Sequence, residues 1–386
     1  MIRETTLAAL QEAQESTCAI VEALDDADYR SQFHADLSPL GWHAGHCAFI
    51  ETYWVREVLC GDDRETRALH ALYVPENLPK PQRGPALPPA PELLAWARAR
   101  QAENRARLCD PPRAAAGRRL LRGEYLPRFL IQHYAQHYET MQMVLAQRQL
   151  RRPPPRLAPG RPEPRAPARA CVHLAADTVE IGSGGTPAAY DNELPAHRVR
   201  VGPVRLARRP ATNAEFLGFM EDGGYRRAEL WEPEGRRMCA QAGLAHPGHW
   251  RAAPDGGWYE IVGAGERALE ADAPVRGLSR YEAHAFAVWA GGRLPHEYEW
   301  EAATRAGLLE GVGGAWEWCA NPFHPYPGFR AFPYERYSTP WFDGRHYTLR
   351  GAGPHTRNAV RRPGFRNFYV PGTRYLFAGV RPAYDE

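Results

Sequence analysis

Lysine is almost absent from this chain: Lys80 is the single one among 48 basic residues, and arginine supplies the rest. That bias reflects the coding genome more than a function. No CxxC pair occurs, and the seven cysteines (Cys18, Cys47, Cys60, Cys109, Cys171, Cys239 and Cys319) are odd in number and widely spaced. A disulfide framework and a zinc knuckle are therefore not expected, and reduced thiols are. No apolar run approaches the roughly 20 residues that cross a bilayer. The opening MIRETTLAALQEAQE carries acids in its first turns where a signal peptide needs a continuous apolar stretch. A soluble, cytoplasmic protein without a membrane partner is expected. Nor is there a polybasic tail: 48 basic and 45 acidic residues are mixed along the chain, for a net charge of +3. Nucleic acid is not an expected partner.

With 386 residues the chain exceeds the size at which one hydrophobic core stops growing, so two domains are expected. Residues 1–150 read as helical. Leu7, Leu10, Ile20, Val21 and Leu24 trace one face of a first helix. A second begins at Ser38-Pro39, read as N-cap and first helical position, with the stripe Leu40, Ala44, Cys47, Ile50, Trp54, Val58 at a 3.6-residue period. Further helices are expected over about 91–108 and 124–150, giving an antiparallel four-helix bundle, whose core is a usual place for a metal. The prolines of RRPPPRLAPGRPEPRAPAR forbid helix and sheet, so 151–170 reads as an extended linker. Beyond it, 171–386 reads as an irregular α+β domain with much loop and helical islands at about 213–221 and 279–290. Long loops in a compact domain usually carry function.

In LIQHYAQHYE, His133 and His137 stand four residues apart, on one face of a helix. Fifteen histidines in this length give about 0.6 such pairs by chance, so a third ligand is needed before the pair means anything. SPLGWHAGHCAFIE offers two, His43 and His46. Three neutral nitrogens without a cysteine suit zinc, nickel or iron(II) and leave coordination positions open for substrate. Glu139 reads either as a hydrogen-bond partner that orients an imidazole or as a solvated surface glutamate.

SPLGWHAGHCAFIE and HYAQHYE together resemble the SP-x-x-W-H-x-x-H and H-x3-H-x-E motifs of the iron-dependent sulfoxide synthases of ergothioneine and ovothiol biosynthesis, including their selenium relative, the selenoneine synthases. The second half is similar to their formylglycine-generating-enzyme-like domain in ELPAHRVRV, RPATNAEFLGFMEDGGY, GLSRYEAHAFAVWAGGRLPHEYEWEAA, GAWEWCANPFHPYPGF, LRGAGPHT and RNFYVPGTRYLFAGVR, in the family's order. The resemblance implies a DinB-like four-helix bundle followed by an irregular formylglycine-generating-enzyme or C-type-lectin-like domain. It also implies iron(II) held by His46, His133 and His137, and O2 as co-substrate. His43 then reads either as a hydrogen-bond partner behind the ligands or as a core or cap residue.

By the same resemblance, Gln136 with Asn367 and Phe368 would hold hercynine, an amide orienting the imidazole and an aromatic face meeting the trimethylammonium group. Phe368 stands where the family commonly has tryptophan. A tyrosine of the loop ANPFHPYPGFRAFPYERY would assist the oxygen chemistry, Tyr326 first and Tyr334 next, with packing as the alternative role for each. RLPHEYEW, with Arg293, Glu297, Glu299 and Trp300, and the Trp316-Glu317-Trp318 string read as scaffold. Formylglycine-generating enzymes themselves work through a cysteine pair near the C-terminus. No cysteine follows Cys319, so that activity is not expected.

One departure bears on the second substrate. Actinobacterial family members place an aspartate after the asparagine-aromatic pair and an arginine four residues later, clamping an amino-acid thiol. Here those positions are Tyr369 and Thr373. Arg374 and Arg83 are the charges that remain as possible substitutes. Without a clamp, a buried zwitterion is left unpaired at a cost of several kcal/mol, whereas tyrosine and threonine suit a neutral polyol. The expected reaction is O2-dependent carbon–selenium bond formation between the imidazole C2 of hercynine and a selenosugar. The alternatives are an ergothioneine-type sulfoxide synthase using cysteine or γ-glutamylcysteine, a metal-dependent thiol transferase and a carbohydrate-binding module.

Overall fold

The computed structural model describes residues 2–111, 119–155 and 157–385. They form two compact units, Met1–Arg148 with Thr186–Ala188, and Gln149–Gly185 with Ala189–Glu386. The proline-rich segment is not a free spacer. It belongs to the second unit, where Gly160 exchanges both backbone hydrogen bonds with Trp258 (2.9 and 2.8 Å). Prolines exclude helix, but a single glycine between them still offers a donor and an acceptor to an extended neighbour. A side chain at Gly160 would overlap the backbone of Leu269.

In the first unit the chain runs through α1 (Glu4–Glu22), α2 (Asp26–Arg30), α3 (Leu40–Thr52), α4 (Thr66–Tyr73), α5 (Lys80–Ala86), α6 (Ala90–Cys109) and α7 (Tyr125–Leu150). The four long helices are those expected, and three short ones fill the connections. Two details differ from the sequence reading. The buried face of α1 is Thr6, Leu10, Gln14, Thr17, Cys18 and Val21, which includes polar groups because Gln14 meets a buried acid, described below. Ser38 does not cap α3; Pro39 takes that position, and the Ser38 hydroxyl accepts from Arg83 Nη1 instead (2.5 Å).

Residues 40–49 of α3 are buried without interruption. A helix buried all round is a central one, and its two glycines are what lets neighbours approach. A Cβ at Gly41 would overlap the ring of Tyr29, and one at Gly45 would overlap the ring of Tyr73. Beyond Thr52 the helix widens into a π-helical stretch, Tyr53–Leu59.

The second unit is built of short strands: β1 (Cys171–Leu174), β2 (Asp177–Ile181), β3 (His197–Val201), β4 (Val204–Ala207), β5 (Trp250–Ala252), β6 (Trp258–Val262), β7 (Gly265–Ala268), β8 (Trp316–Pro322), β9 (Tyr347–Gly351), β10 (Asn367–Tyr369), β11 (Ala378–Gly379) and β12 (Ala383–Asp385). They pair as β1-β4-β12, β10-β9-β8-β11, β2-β3 and β5-β6-β7. Helices α8 (Asn213–Glu221), α9 (Pro233–Ala242), α10 (Arg280–Trp289) and α11 (Glu297–Arg305) complete it.

So little regular structure is held together by buried ion pairs. Arg366 donates to both oxygens of Glu297 (2.8 and 2.7 Å), and Arg381 to both of Glu317 (2.7 and 2.9 Å), all four side chains being almost fully buried. Burial alone would raise the Glu297 carboxyl, but the Arg366 and Arg350 guanidiniums outweigh it and hold it down to about 2. Trp300 Nε1 donates to Glu317 (2.6 Å), which makes the RLPHEYEW and WEW strings parts of one scaffold.

Among the described residues three α-helix starts carry capping boxes, Thr212/Glu215, Ser279/Glu282 and His296/Glu299. Each capping glutamate also takes an arginine: Arg209, Arg374 and Arg293 respectively. Among the described residues no helix is long and apolar enough to cross a membrane.

Candidate metal centre

The spacing of Trp42 and His46 places both on one face of α3, toward the end of α4. The last carbonyls of any helix lack intrahelical donors, and here two of them are met by α3. Trp42 Nε1 donates to Leu72 O (2.8 Å) and His46 Nδ1 to Tyr73 O (2.7 Å). A carbonyl only accepts, so the hydrogen of His46 sits on Nδ1 and its Nε2 is a bare lone pair. The Trp42 indole stacks on that imidazole at 4.6 Å with 14° between planes, and the Arg83 guanidinium lies 4.0 Å from the Trp42 ring. Ring orientation and tautomer of His46 are both fixed before any ligand arrives.

From α7, His133 and His137 turn toward the same point. Ligand nitrogens of His46, His133 and His137 lie within 4.8 Å of one another. Burial holds His46 down to about 4 and drives His133 and His137 well below the usual imidazole range. All three are neutral at physiological pH, as metal coordination requires. His133 Nδ1 is buried without a hydrogen-bond partner. Three converging neutral imidazoles with an unsatisfied buried nitrogen fit a divalent cation, and no carboxylate or thiolate is in the set. Imidazole-only donors suit zinc, iron, nickel or copper.

The DinB superfamily matches residues 9–141, and the sulfatase-modifying factor enzyme 1-like domain matches residues 159–311. A hercynine oxygenase of Mycolicibacterium smegmatis is 32% identical over 99% of this chain and 99% of its own length. One from Mycobacterium tuberculosis is 31% identical over 97% of each. A formylglycine-generating enzyme of Thermomonospora curvata shares 32% identity over only 38% of this chain. The chain belongs to the ergothioneine-type DinB/FGE enzyme family.

The enzyme's other candidate residues are less uniformly placed. Asn367, Phe368 and Tyr369 form β10, the edge strand of its sheet, paired with Leu349, Thr348 and Tyr347. Asn367 Oδ1 accepts from the Phe368 amide (3.0 Å). Phe368 has one face on Phe323 (4.2 Å, 14°), with Trp341 at 6.1 Å. Tyr369 meets Tyr375 edge-on. Gln136 sits on α7 one residue before His137, partly exposed. Thr373 is buried and closes a turn through its amide to Val370 O (3.1 Å), so it is a fold residue more than a surface one.

Both arginines held in reserve as clamps are committed elsewhere. Arg374 grips Glu282 with two bonds of 2.9 Å and also donates to His246 O. Arg83 is buried, donating to Leu78 O (3.0 Å), Pro75 O (2.6 Å) and Ser38, and so ties down the start of α3. Tyr326 is likewise a core residue, 2% exposed, with its hydroxyl accepting from Arg350 (3.2 Å) and its ring under the Arg366 guanidinium at 4.1 Å. Burial pushes its phenol far up, and its surroundings are those of packing. Tyr334 is 39% exposed. Its loop is anchored by Asp191, which accepts from Ser338 and from the Phe332 amide (3.3 Å), and by Tyr190 stacked on Tyr337 at 4.3 Å. Glu139 is buried, so the solvated-surface reading does not hold.

Sequence reasoning missed a polar group in the bundle core. Glu51 is fully buried, with Gln14 Nε2 (2.7 Å) and Tyr134 OH (2.9 Å) both donating to Oε2, and Oε1 without a partner. Burial raises the Glu51 carboxyl to about 7, against the Gln14 and Tyr134 hydrogen bonds, which favour the carboxylate. In the unfolded chain the group titrates near ~4.3. Between those values the native state holds the extra proton, so stability falls as pH rises, and the full loss is present above about 7. Glu51→Gln is expected to melt higher than the wild type at pH 8, by up to about 3 kcal/mol, and to gain far less at pH 4.5. Equal gains at the two pH values in thermal melts would refute this assignment.

Proposed function

We propose that the enzyme joins a selenosugar to the imidazole C2 of hercynine, using iron(II) and O2. The oxidative, hercynine-directed part rests on its full-length similarity to hercynine oxygenases together with the three converging imidazoles. The balance is one C–H and one Se–H bond broken, one C–Se bond formed, and selenium oxidised to a selenoxide. One oxygen atom of O2 stays on selenium and the other leaves as water. Iron(II) would supply the redox chemistry toward O2 and a Lewis-acid position for a soft selenolate. His46, His133 and His137 would hold it, leaving positions at which both substrates are gathered.

Gln136 is assigned to the imidazole edge of hercynine, and Asn367 and Phe368 to the rest of that substrate. Tyr334, the more exposed of the two candidate tyrosines, is the preferred proton or hydrogen donor. For the donor, the observation that carries the reading is the commitment of Arg374 to Glu282 at a site where Tyr369 and Thr373 already replace a charged pair. It supports a neutral sugar over an amino-acid thiol.

Oxygen uptake tests the reaction class. Consumption by the iron(II) enzyme should require hercynine and a chalcogen donor together, and a thiol transferase or a lectin would show none. Phe368→Ala should weaken hercynine binding by about 0.5–2 kcal/mol, the scale of a cation–aromatic contact. Calorimetry giving unchanged hercynine affinity in Phe368→Ala, Asn367→Ala and Gln136→Ala would remove that pocket from the proposal.

A further inference from the structure

His43, whose role the sequence left open, is buried on α3 with its Nδ1 3.0 Å from Nδ1 of His137. Two neutral imidazole nitrogens at that distance share one hydrogen, so one ring donates and the other accepts. If His43 donates, His137 carries its own hydrogen on Nε2, and neither of its nitrogens offers a lone pair to a cation. If His137 donates, its Nε2 is bare, and the hydrogen of His43 moves to His43 Nε2, which is buried and has no partner. Only the second arrangement makes His137 a ligand.

We propose that His43 is the positioning residue of His137: it accepts the Nδ1 hydrogen and thereby presents the Nε2 lone pair to the metal. The proposal rests on the His46/His133/His137 reading of the centre. It parallels His46, whose Nδ1 hydrogen is held by the Tyr73 carbonyl. One helix, α3, then supplies a ligand at His46 and, three residues earlier, the acceptor that orients a ligand of α7. The indole of Trp42 braces both, edge-on to His43 at 5.5 Å and stacked on His46. Outer acceptors of this kind fix the tautomer and raise ligand basicity, and their loss typically costs 10–100-fold in metal affinity.

The test is cobalt(II) titration of the full-length apoprotein, followed by its visible spectrum, with apoprotein melting temperatures measured alongside. His43→Leu keeps bulk but removes the acceptor and should bind cobalt about 10–100-fold more weakly with an altered spectrum. His43→Asn places a carbonyl oxygen near the position of Nδ1 and should restore wild-type affinity and spectrum. His46→Ala is the control for the centre itself and should lose cobalt outright. Wild-type cobalt binding by His43→Leu, or an equal loss in His43→Asn and His43→Leu at matched apoprotein melting temperatures, overturns the proposal. If His46→Ala binds cobalt as the wild type does, the centre has been misassigned, which is a separate failure.

Discussion

Replacing His46, His133 or His137 by alanine is expected to abolish turnover and to remove most of the iron(II) proposed to bind there. Each imidazole is neutral through burial, and no carboxylate or thiolate stands in the set to replace a missing nitrogen. The fall in affinity should exceed the roughly 10–100-fold that losing an outer hydrogen-bond partner costs. His46→Ala is the most informative of the three, because its partner is a single helix-end carbonyl whose loss of a donor costs about 1–3 kcal/mol. The variant should therefore remain folded, and iron measured after anaerobic reconstitution can be interpreted. Full iron occupancy in a folded His46→Ala protein would show that the lone pair fixed by Tyr73 is not a ligand.

How much of this was legible in the sequence depends on whether the signal was local. The i,i+4 pair His133/His137 and the Trp42/His46 spacing are properties of one helix each, and the helices near 91–108 and 124–150 appear as Ala90–Cys109 and Tyr125–Leu150. What the sequence could not show was the acceptor beyond His46 and His137. The Tyr73 carbonyl reaches His46 only because Gly45 lets α4 close on α3. His43 was visible in the WHAGH string, but its role depends on where α7 crosses.

In the second unit the strands are only two to seven residues long, and sheets such as β1-β4-β12 pair across long stretches of chain, so no periodicity marks them. Ser279-Arg-Tyr-Glu282 has the spacing of a capping box, but the spacing does not show the second use of its glutamate. Glu282 caps α10 and also holds Arg374 from 92 residues away. That double duty is why an arginine that looked available in the sequence is part of the scaffold. Tyr326 follows the same logic, drawn from an apparent active-site loop into the guanidinium network around Arg350 and Arg366.

The second large effect concerns the chalcogen donor. With hercynine and O2 saturating, kcat/KM for selenoglucose is expected to exceed that for cysteine or γ-glutamylcysteine by at least ~100-fold, since ~2.7 kcal/mol is a modest penalty for one buried charged group left unpaired. The zwitterion finds no substitute clamp in Arg374, which is bound to Glu282, or in Arg83, which is bound to Ser38 and two backbone carbonyls. Freeing either would break a buried network, at a cost no single substrate contact offsets. Thioglucose separates the two parts of the preference: it keeps the sugar and changes the chalcogen. If recognition lies in the sugar, thioglucose should outperform cysteine even where it trails selenoglucose. Tyr369→Phe should then weaken both sugars and leave the residual cysteine rate unchanged. Should cysteine or γ-glutamylcysteine prove the best donor, the sugar reading fails, and a charge must be released from one of those two arginine networks when the substrate binds.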